Sequence, residues 1–468
     1  MPVTKEELFY TKKNAYDIIK DDEITRADAY CEEYKNYLDA AKTEREAVKE
    51  AIRLAESHGF TPLRRGMNLK TGSKLYADVG GKAVIFAVIG QKPLDKGVNI
   101  SAAHIDAPRI DLKQVPLYEE GDMALFKTHY YGGIKKYQWV TQPLALHGVV
   151  IKNDGTTVDI VIGEDEKDPI FMITDLLPHL GSDQSKKSLG EAFTGENLNI
   201  LIGSRPIEKK DGKDEKDRVK LNIMTIINEK YGITEEDLLS AEIEAVPLMR
   251  ARDLGFDRSM IGAYGHDDRS CSFASLKAIL DLKTPPMTAV CVLVDKEEIG
   301  SEGLTGMQSA MFEDFMEELC DSYDIKLRDC FKASFCLSGD VCCAFDPNFP
   351  EVSEKQNSAK LGCGLGILKY TGVHGKSGSS DASPEIIAML RKLFAKKGVA
   401  WQMAELGKVD QGGGGTVAKF MANRNIPTID AGVPVLSMHA PYEIVSKLDC
   451  YMTYKAILAI YERNCSYE

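Results

Sequence analysis

The second half of the sequence alternates short β-branched segments with amphipathic segments, and this alternation constrains the fold more than any other feature. Strands that alternate with helices are typical of an α/β protein with a mainly parallel or mixed sheet. The predicted strands lie at 289–294, 332–337, 364–368 and 433–438, and the predicted helices at 270–282, 307–320, 384–397 and 444–461.

The first half begins with a long helical pattern and then changes character. Residues 4–57 are predicted to be helical, with Thr4 and Glu7 as a capping box and Gly59 as a stop. Two short apolar segments, 84–89 and 98–103, are predicted strands of the same kind as those after residue 251.

Between these regions the pattern is less regular. Strand-like segments occur at 144–151 and 158–162, and the polar run 209–220 is typical of a solvated loop. We therefore expect one α/β domain, built from residues 1–107 and 251–468, that is interrupted by a β-rich insertion at 108–250.

Composition excludes several classes of function. The 468 residues carry 71 acidic and 58 basic side chains, a net charge of -13, so we expect no nucleic-acid partner. There is no apolar run of about 18 residues and no signal pattern at the start, which favours a cytoplasmic protein with no membrane partner. The eleven cysteines include no CxxC motif, and we interpret them as reduced, buried thiols.

Histidine and carboxylate residues follow the strands of the predicted α/β domain. In open α/β sheets, ligands bind outside the carboxyl ends of the strands, so these side chains are expected to line one crevice. Each acid taken alone is also typical of a turn or a helix N-cap, and only their joint occurrence points to a site. The residues concerned are His104, Asp106, Asp267, Asp268, Asp295, Glu297, Glu298, Asp340 and His439.

Five of these residues form a candidate metal-ligand set of two imidazoles and three carboxylates. Such a set suits zinc, cobalt or manganese and provides enough carboxylates for two ions with one bridging ligand. Asp106 lies two residues after His104, on the same face of a strand, where it can orient the imidazole, and Glu297 is left to act as a base. The five candidate ligands are His104, Asp267, Glu298, Asp340 and His439.

The motifs around these residues resemble those of the aspartyl aminopeptidase family, which includes vacuolar aminopeptidase I and belongs to the cocatalytic-zinc exopeptidases. The resemblance covers most of the chain in order. It is carried by AAHIDAPRIDLK, YYGGIKKYQW, ARDLGFDRSMIGAYGHDDRSCSF, DKEEIGSEGLTGMQSAMF, SGDVCCAFDPNFPE, GKSGSSDA and VPVLSMHAPYEIVSKLDCYMTYKA.

The resemblance implies a three-layer, zinc-exopeptidase-like catalytic domain with an inserted dimerisation domain. It implies two zinc ions per subunit on the five candidate ligands, with Asp267 bridging, Glu297 as the general base and Asp106 orienting His104. It also implies peptide substrates and a dodecamer built from dimers.

The chain departs from the family pattern in two places. Residues 139–143 differ from the usual run, with Tyr137 at about the position of a nearby family histidine, and 352–354 lack the usual lysine and histidine. A preference for N-terminal Asp or Glu is therefore less strongly predicted than the metal chemistry. Candidate replacements for the lost positive charge are Lys135, Lys136 and Lys376.

Two further features have no role assigned by the sequence. Glycines 412–415 are typical of a tight turn into a helix, and they would also let a substrate approach the backbone. His266 adjoins Asp267 and could belong to the site.

Two alternatives to an aminopeptidase stay open. The first is a deacylase or dipeptidase on the same metal framework, and the second is a non-catalytic shell protein that keeps the fold. The presence of Glu297 and Asp267 argues against the second.

Overall fold

A computed structural model describes residues 3–208 and 216–464, apart from the side chain of Glu6. Most of the polar run predicted as a loop, residues 209–215, lies outside the described residues. The chain forms two compact units. The first comprises Met1–Asp106, Ala251–Met438 and Glu443–Glu468, and the second comprises Ala107–Arg250 and His439–Tyr442.

The first unit is built on a mixed nine-stranded sheet. Parallel pairs join Asn99–His104 to its neighbours Ala289–Val294 and Phe335–Ser338, so all three strands end at the same edge. In spatial order the strands are Thr61–Pro62, Lys74–Val79, Ala83–Val88, Ala289–Val294, Asn99–His104, Phe335–Ser338, Thr428–Gly432, Leu365–Leu368 and Trp401–Met403.

Helices cover both faces of this sheet, because its central strands are apolar on both sides. In Ala289–Val294, Val290 and Val292 pack into one core with Phe312, whereas Cys291 and Leu293 pack into the other core with Phe273. The helices of this unit are Lys5–Leu8, Asp21–Ala40, Glu44–Ser57, His266–Asp281, Met311–Asp321, Leu327–Ala333, Pro384–Lys397, Ala418–Asn423 and Lys447–Tyr461. The α/β class with three layers is thereby confirmed.

The single helix predicted over residues 4–57 is wrong in its continuity. The capping box at Thr4 and Glu7 is present, but the helix that it begins has only four residues. Two longer helices follow, and the second has its own capping box, in which Thr43 accepts a hydrogen bond from the backbone N–H of Glu46. Because each capping box satisfies the free N–H groups of a helix start, the chain restarts there rather than continuing.

A second, five-stranded sheet lies in the same unit. Its strands, in spatial order, are Arg252–Leu254, Met260–Ala263, Glu443–Ser446, Pro434–Leu436 and Cys342–Cys343. The strand predicted at 433–438 belongs to this sheet, and the last helix begins at Lys447 because residues 443–446 form a strand. A small two-stranded sheet pairs Gly372–Val373 with Gly413–Gly414.

The second unit is a β-rich structure of its own. Its seven-stranded sheet is antiparallel throughout, with the spatial order Thr157–Ile162, Leu144–Ile151, Ala241–Pro247, Arg109–Glu120, Met123–Tyr131, Ile200–Gly203 and Met172–Ile173. The helices Leu189–Ala192 and Arg218–Tyr231 accompany this sheet. The strand predicted at 144–151 matches the observed one at both ends.

The cysteines that the structure describes are free thiols. Nine of these ten are buried, and Cys343 is half-buried. All of them lie in the first unit, because the sequence from 107 to 250 contains no cysteine. Within the described residues, no helix combines the length and apolar character needed to cross a lipid bilayer.

Candidate metal site

His104 is the last residue of a buried strand and lies at the centre of the candidate site. Its side chain is 1% exposed. The Nδ1 atom lies 3.0 Å from the backbone carbonyl oxygen of Asp106 and 3.2 Å from the Oδ1 atom of its carboxylate. The Nε2 atom lies 3.1 Å from Oδ1 of Asp267 and 3.8 Å from Oδ1 of Asp340. When Nδ1 carries the proton, the unprotonated Nε2 atom faces the carboxylates of Asp267 and Asp340.

Asp106 connects this histidine to the two glutamates that follow a neighbouring strand. Its carboxylate is fully buried, with Oδ1 accepting a hydrogen bond from the N–H of Glu297 and Oδ2 accepting one from Glu298, both at 3.2 Å. The two glutamates begin the short 3-10 turn Glu297–Ile299. This carboxylate thus positions the backbone of both glutamates.

The remaining carboxylates come from a helix start and from a strand end. Asp267 lies in the first turn of His266–Asp281, where the backbone is not yet helical, and its N–H donates to Oε2 of Glu443 at 3.1 Å. Asp340 follows Phe335–Ser338 and is buried. A side chain at Gly432 would collide with the carbonyl oxygen of Asp340, so this glycine lets the two segments pack closely.

Two groups of side chains that contain His104 each bring their ligand atoms within 4.8 Å of one another. One group adds Asp267 and Glu298, and the other adds Glu297 and Asp340. Four of the five sequence-predicted ligands therefore lie together. Glu297, which the sequence analysis assigned as the base, lies among them.

His439 belongs to the second unit, where its Nδ1 lies 3.0 Å from the carbonyl oxygen of Gly133. Its role as a ligand stays a prediction.

The electrostatics of the cluster fit a bound cation. Burial, together with the Asp340 charge, raises the pKa of Glu297 to about 8. Burial lowers the pKa of His104, but its hydrogen bonds with the surrounding aspartates outweigh that effect, so its pKa is well above the usual range. Carboxylates this close together and this deeply buried are stabilised by a positive charge between them. The imidazole and carboxylate donors are those that zinc accepts.

His266 has a structural position beside the cluster. Its side chain is fully buried, with Nδ1 2.7 Å from the hydroxyl of Tyr34 and Nε2 3.2 Å from the carbonyl oxygen of Ile261. Burial lowers its pKa to about 3. A neutral ring fits both contacts, since the Tyr34 hydroxyl donates to Nδ1 and Nε2–H donates to the carbonyl. This residue anchors the helix start that carries Asp267.

Of the lysines predicted as replacement charges, Lys376 has partners close to it in the chain. Lys376 lies 3.2 Å from the carboxylate of Asp381 and 3.9 Å from the ring centre of Tyr370. In the second unit, Lys136 lies 5.9 Å from the ring of Tyr130, and Tyr137 is partly exposed beside Phe193, at 6.4 Å between ring centres.

Some residues that hold the site carried no signal in the sequence. Tyr34 and Glu443 contact His266 and Asp267 across separations of 232 and 176 residues. Thr416 and Asp430 form a hydrogen bond of 2.6 Å at a strand next to that of Asp340. The one sequence signal at Asp430 is its position inside the strand Thr428–Gly432, and that strand was not predicted.

Comparison with known proteins gives the same picture. A probable M18 family aminopeptidase 1 from Clostridium acetobutylicum is 53% identical over 449 residues, which cover 94% of this chain and 96% of that protein. The crystal structure of an M18-family aminopeptidase from Thermotoga maritima matches with a TM-score of 0.92 and 43% identity, covering 97% of this chain and 100% of that one.

A more distant structure shares the fold alone. The mApe1 dodecamer of S. cerevisiae matches with a TM-score of 0.75 at 20% identity, covering 94% of this chain and 97% of that one. The family model of the aminopeptidase I zinc metalloproteases matches residues 37–461. This chain therefore belongs to the M18 family of aminopeptidases, which are zinc metalloproteases.

Proposed function

We propose that this aminopeptidase releases N-terminal residues from peptides by means of two divalent cations, with zinc as the native metal and cobalt or manganese as substitutes. The observation that carries the proposal is the pair of ligand groups that share His104. The residues proposed to hold the ions are His104, Asp267, Glu298, Asp340 and His439, with Asp267 as the bridge.

When bound, such ions supply a Lewis acid and bring the pKa of a bound water toward about 7. Glu297 is proposed as the general base, which takes a proton from the attacking water and passes it to the leaving amine. Asp106 is proposed to orient His104 and to hold Glu297 and Glu298 through their backbone N–H groups.

The acidic character of the cluster supports recognition of a free α-amino group. Asp268 is fully buried in the same helix start, and the nearby charges of Asp340 and Asp267 add to the burial that raises its pKa. An acid-rich site attracts the positively charged α-amino end of a peptide, which is the end that an aminopeptidase must bind.

A preference for N-terminal Asp or Glu would require a cation to receive the acidic side chain. The carboxylate of Asp381 partly neutralises Lys376, so this lysine offers weak support for that preference. We therefore propose the aminopeptidase activity without an acidic specificity, which stays a prediction.

A substrate panel with a chelator control tests the proposal. Aminoacyl-anilides, dipeptides, tripeptides and N-acyl amino acids are each incubated with zinc-loaded protein. We expect turnover only of substrates with a free α-amino group, and loss of that turnover after chelation. Turnover of N-acyl amino acids would favour a deacylase, and activity limited to dipeptides would favour a dipeptidase. Activity that survives complete metal removal would contradict the proposed chemistry.

We also propose that the protein is a homo-oligomer, a dodecamer built from dimers, with residues 108–250 as the dimerisation domain. The β-rich unit Ala107–Arg250, with its own sheet, supports the separate role of this region. A shared fold with the mApe1 dodecamer supports the assembly. The cytoplasmic location stays a prediction from the sequence.

A further inference from the structure

Three neighbouring strands of the central sheet align a buried aspartate with the candidate metal site. Ser338 pairs with Ala102 on one side and with Asp430 on the other, so the three residues form a row across parallel strands. His104 and Asp340 each lie two residues farther along their chains than Ala102 and Ser338. Because side chains two residues apart share a face, Asp430 lies on the face of His104, roughly 7 Å before the ligands.

The charges in this region are consistent with that proximity. Burial raises the pKa of Asp430 to about 7, the hydrogen bond from Thr416 opposes the rise, and the charge of Asp340 adds to it. The side chain of Asp430 is almost completely buried.

Thr416 fastens a glycine-rich segment to this aspartate. Its hydroxyl donates to Oδ1 of Asp430 at 2.6 Å, and the Oγ1 atom of Thr416 itself accepts a hydrogen bond from the N–H of Ala418 at 3.3 Å. The segment 412–415 precedes Thr416 directly, and its strand Gly413–Gly414 pairs with Gly372–Val373. We call residues 412–416 the rim.

The packing of the chain explains some of these glycines and leaves others unexplained. A Cβ atom at Gly412 would collide with the carbonyl oxygen of Leu406, and one at Gly413 with that of Gly372. At Gly415, by contrast, the nearest atom would be Nζ of Lys419 at 4.0 Å, at the end of a flexible side chain. Gly415 is exposed, so the folded chain would accommodate alanine at this position. An exposed glycine leaves the backbone open to the close approach of a ligand.

We propose that Thr416 and Asp430 are positioning residues, whose hydrogen bond holds the rim beside the metal ligands so that its backbone at Gly415 receives the main chain of the peptide substrate. This inference rests on the proposed function and adds to it the element that contacts the substrate backbone. It assigns to glycines 412–415 a role in peptide binding.

The test compares steady-state kinetics of full-length, zinc-loaded variants on the tripeptide that the wild type hydrolyses fastest. For Thr416→Val, which loses the hydroxyl, we expect KM to rise about tenfold, with kcat within about twofold and zinc content unchanged. Thr416→Ser keeps the hydroxyl and should restore KM to within about twofold of the wild type. Gly415→Ala should raise KM severalfold without a change in melting temperature.

Two matched controls separate this role from a general loss of stability. Thr453→Val removes a buried threonine hydroxyl that donates to the carbonyl oxygen of Asp449 at 2.9 Å and is part of neither the rim nor the proposed ligand set. Gly190→Ala adds a methyl group where nothing lies within 4 Å. Neither control should change KM.

The inference is overturned if Thr416→Val and Gly415→Ala leave KM within twofold, or if Thr453→Val raises KM as much as Thr416→Val does. If Thr416→Val does not fold, Gly415→Ala decides, since an unchanged KM for that variant overturns the inference and a raised KM supports it. If the wild type cleaves no tripeptide, both the proposed function and the proposed role of the rim are overturned. If the wild type is active and the variants are unaffected, only the proposed role of the rim is overturned.

Discussion

At the scale of single residues, Asp106 is the point where the parts of the candidate site meet. The carboxylate of Asp106 lies beside Nδ1 of His104. It also accepts hydrogen bonds from the N–H groups of Glu297 and Glu298, which are 191 and 192 residues away in the chain. A displacement of this side chain would therefore shift a proposed metal ligand and the proposed base together. Residues that hold metal ligands in this way commonly affect metal affinity as much as the ligands do.

The assignment of the base leads to a sharp prediction. Glu297→Gln removes the group that accepts a proton but keeps the shape of the side chain, so we expect kcat to fall by about 10²- to 10⁴-fold. Zinc content, measured by elemental analysis, should stay that of the wild type. Glu302→Gln is the control, because Glu302 is an exposed glutamate in the same loop and should leave kcat unchanged. A kcat for Glu297→Gln within tenfold of the wild type would reject Glu297 as the base.

Residues at strand ends could be predicted from the sequence because their positions follow from local pattern. His104 and Asp340 each come directly after or within an apolar run, and the structure brings them to one edge of the sheet. The contacts that hold them could not be predicted in this way. Tyr34 meets His266 across 232 residues, and no pattern in either segment signals the other.

At the scale of elements, the sequence predicted those with strong local signals. The helix Pro384–Lys397 matches its prediction at both ends because Ser383 caps its first turn, Pro384 starts it and Gly398 ends it with a φ of +65°. The β-branched strand Ala289–Val294 also matches. The strand Thr428–Gly432 was missed because it contains an aspartate and a glycine, and tertiary packing buries it against its predicted neighbours all the same.

The last helix carries a buried acid whose protonation should affect stability. Asp449 lies in the first turn of Lys447–Tyr461. Its carboxylate accepts hydrogen bonds from the N–H groups of Gly362 at 2.8 Å and Gly364 at 2.6 Å. Burial raises its pKa to about 8, and the two N–H donors only partly oppose that rise. Since the folded state holds this proton more tightly than the unfolded chain, its contribution is complete below about pH 4 and is lost as the pH rises through 8.

Asp449→Asn cannot titrate, so we expect the stability of the wild type relative to this variant to fall between pH 5 and pH 8. The decrease should be on the order of 1 kcal/mol per pH unit, measured from denaturant unfolding at each pH. Asp21→Asn, at an exposed position in the first turn of another helix, is the matched control for the loss of one carboxylate. A pH-independent difference for Asp449→Asn would show that this acid is ionised in the folded protein.

At the scale of the whole molecule, the chain order of the two units follows from the sequence pattern. The strand Asn99–His104 pairs in parallel with strands that come 190 and 236 residues later, which is why the alternation before residue 107 resembles that after residue 251. The return of His439–Tyr442 to the second unit could not be predicted, because a four-residue segment has no pattern of its own.

The proposed assembly predicts a mass. Twelve chains of 51.7 kDa would give a particle of about 620 kDa by light scattering on a size-exclusion column. Deletion of the β-rich unit removes the proposed dimerisation surface, so we expect that variant not to form the large particle. A wild-type mass of one chain at micromolar concentration would contradict the assembly.

The buried thiols of the first unit bear on how metal binding can be measured. A thiolate, not a thiol, binds zinc, and burial raises the pKa of side chains such as Cys31, Cys291 and Cys336, so these thiols stay protonated at neutral pH. We therefore expect zinc added to the folded apoprotein to bind the imidazole and carboxylate groups of the proposed ligands in preference to these protonated thiols. We therefore expect a zinc titration of the native protein to report the occupancy of the proposed metal ligands, whereas the same titration after unfolding would also count cysteine ligands.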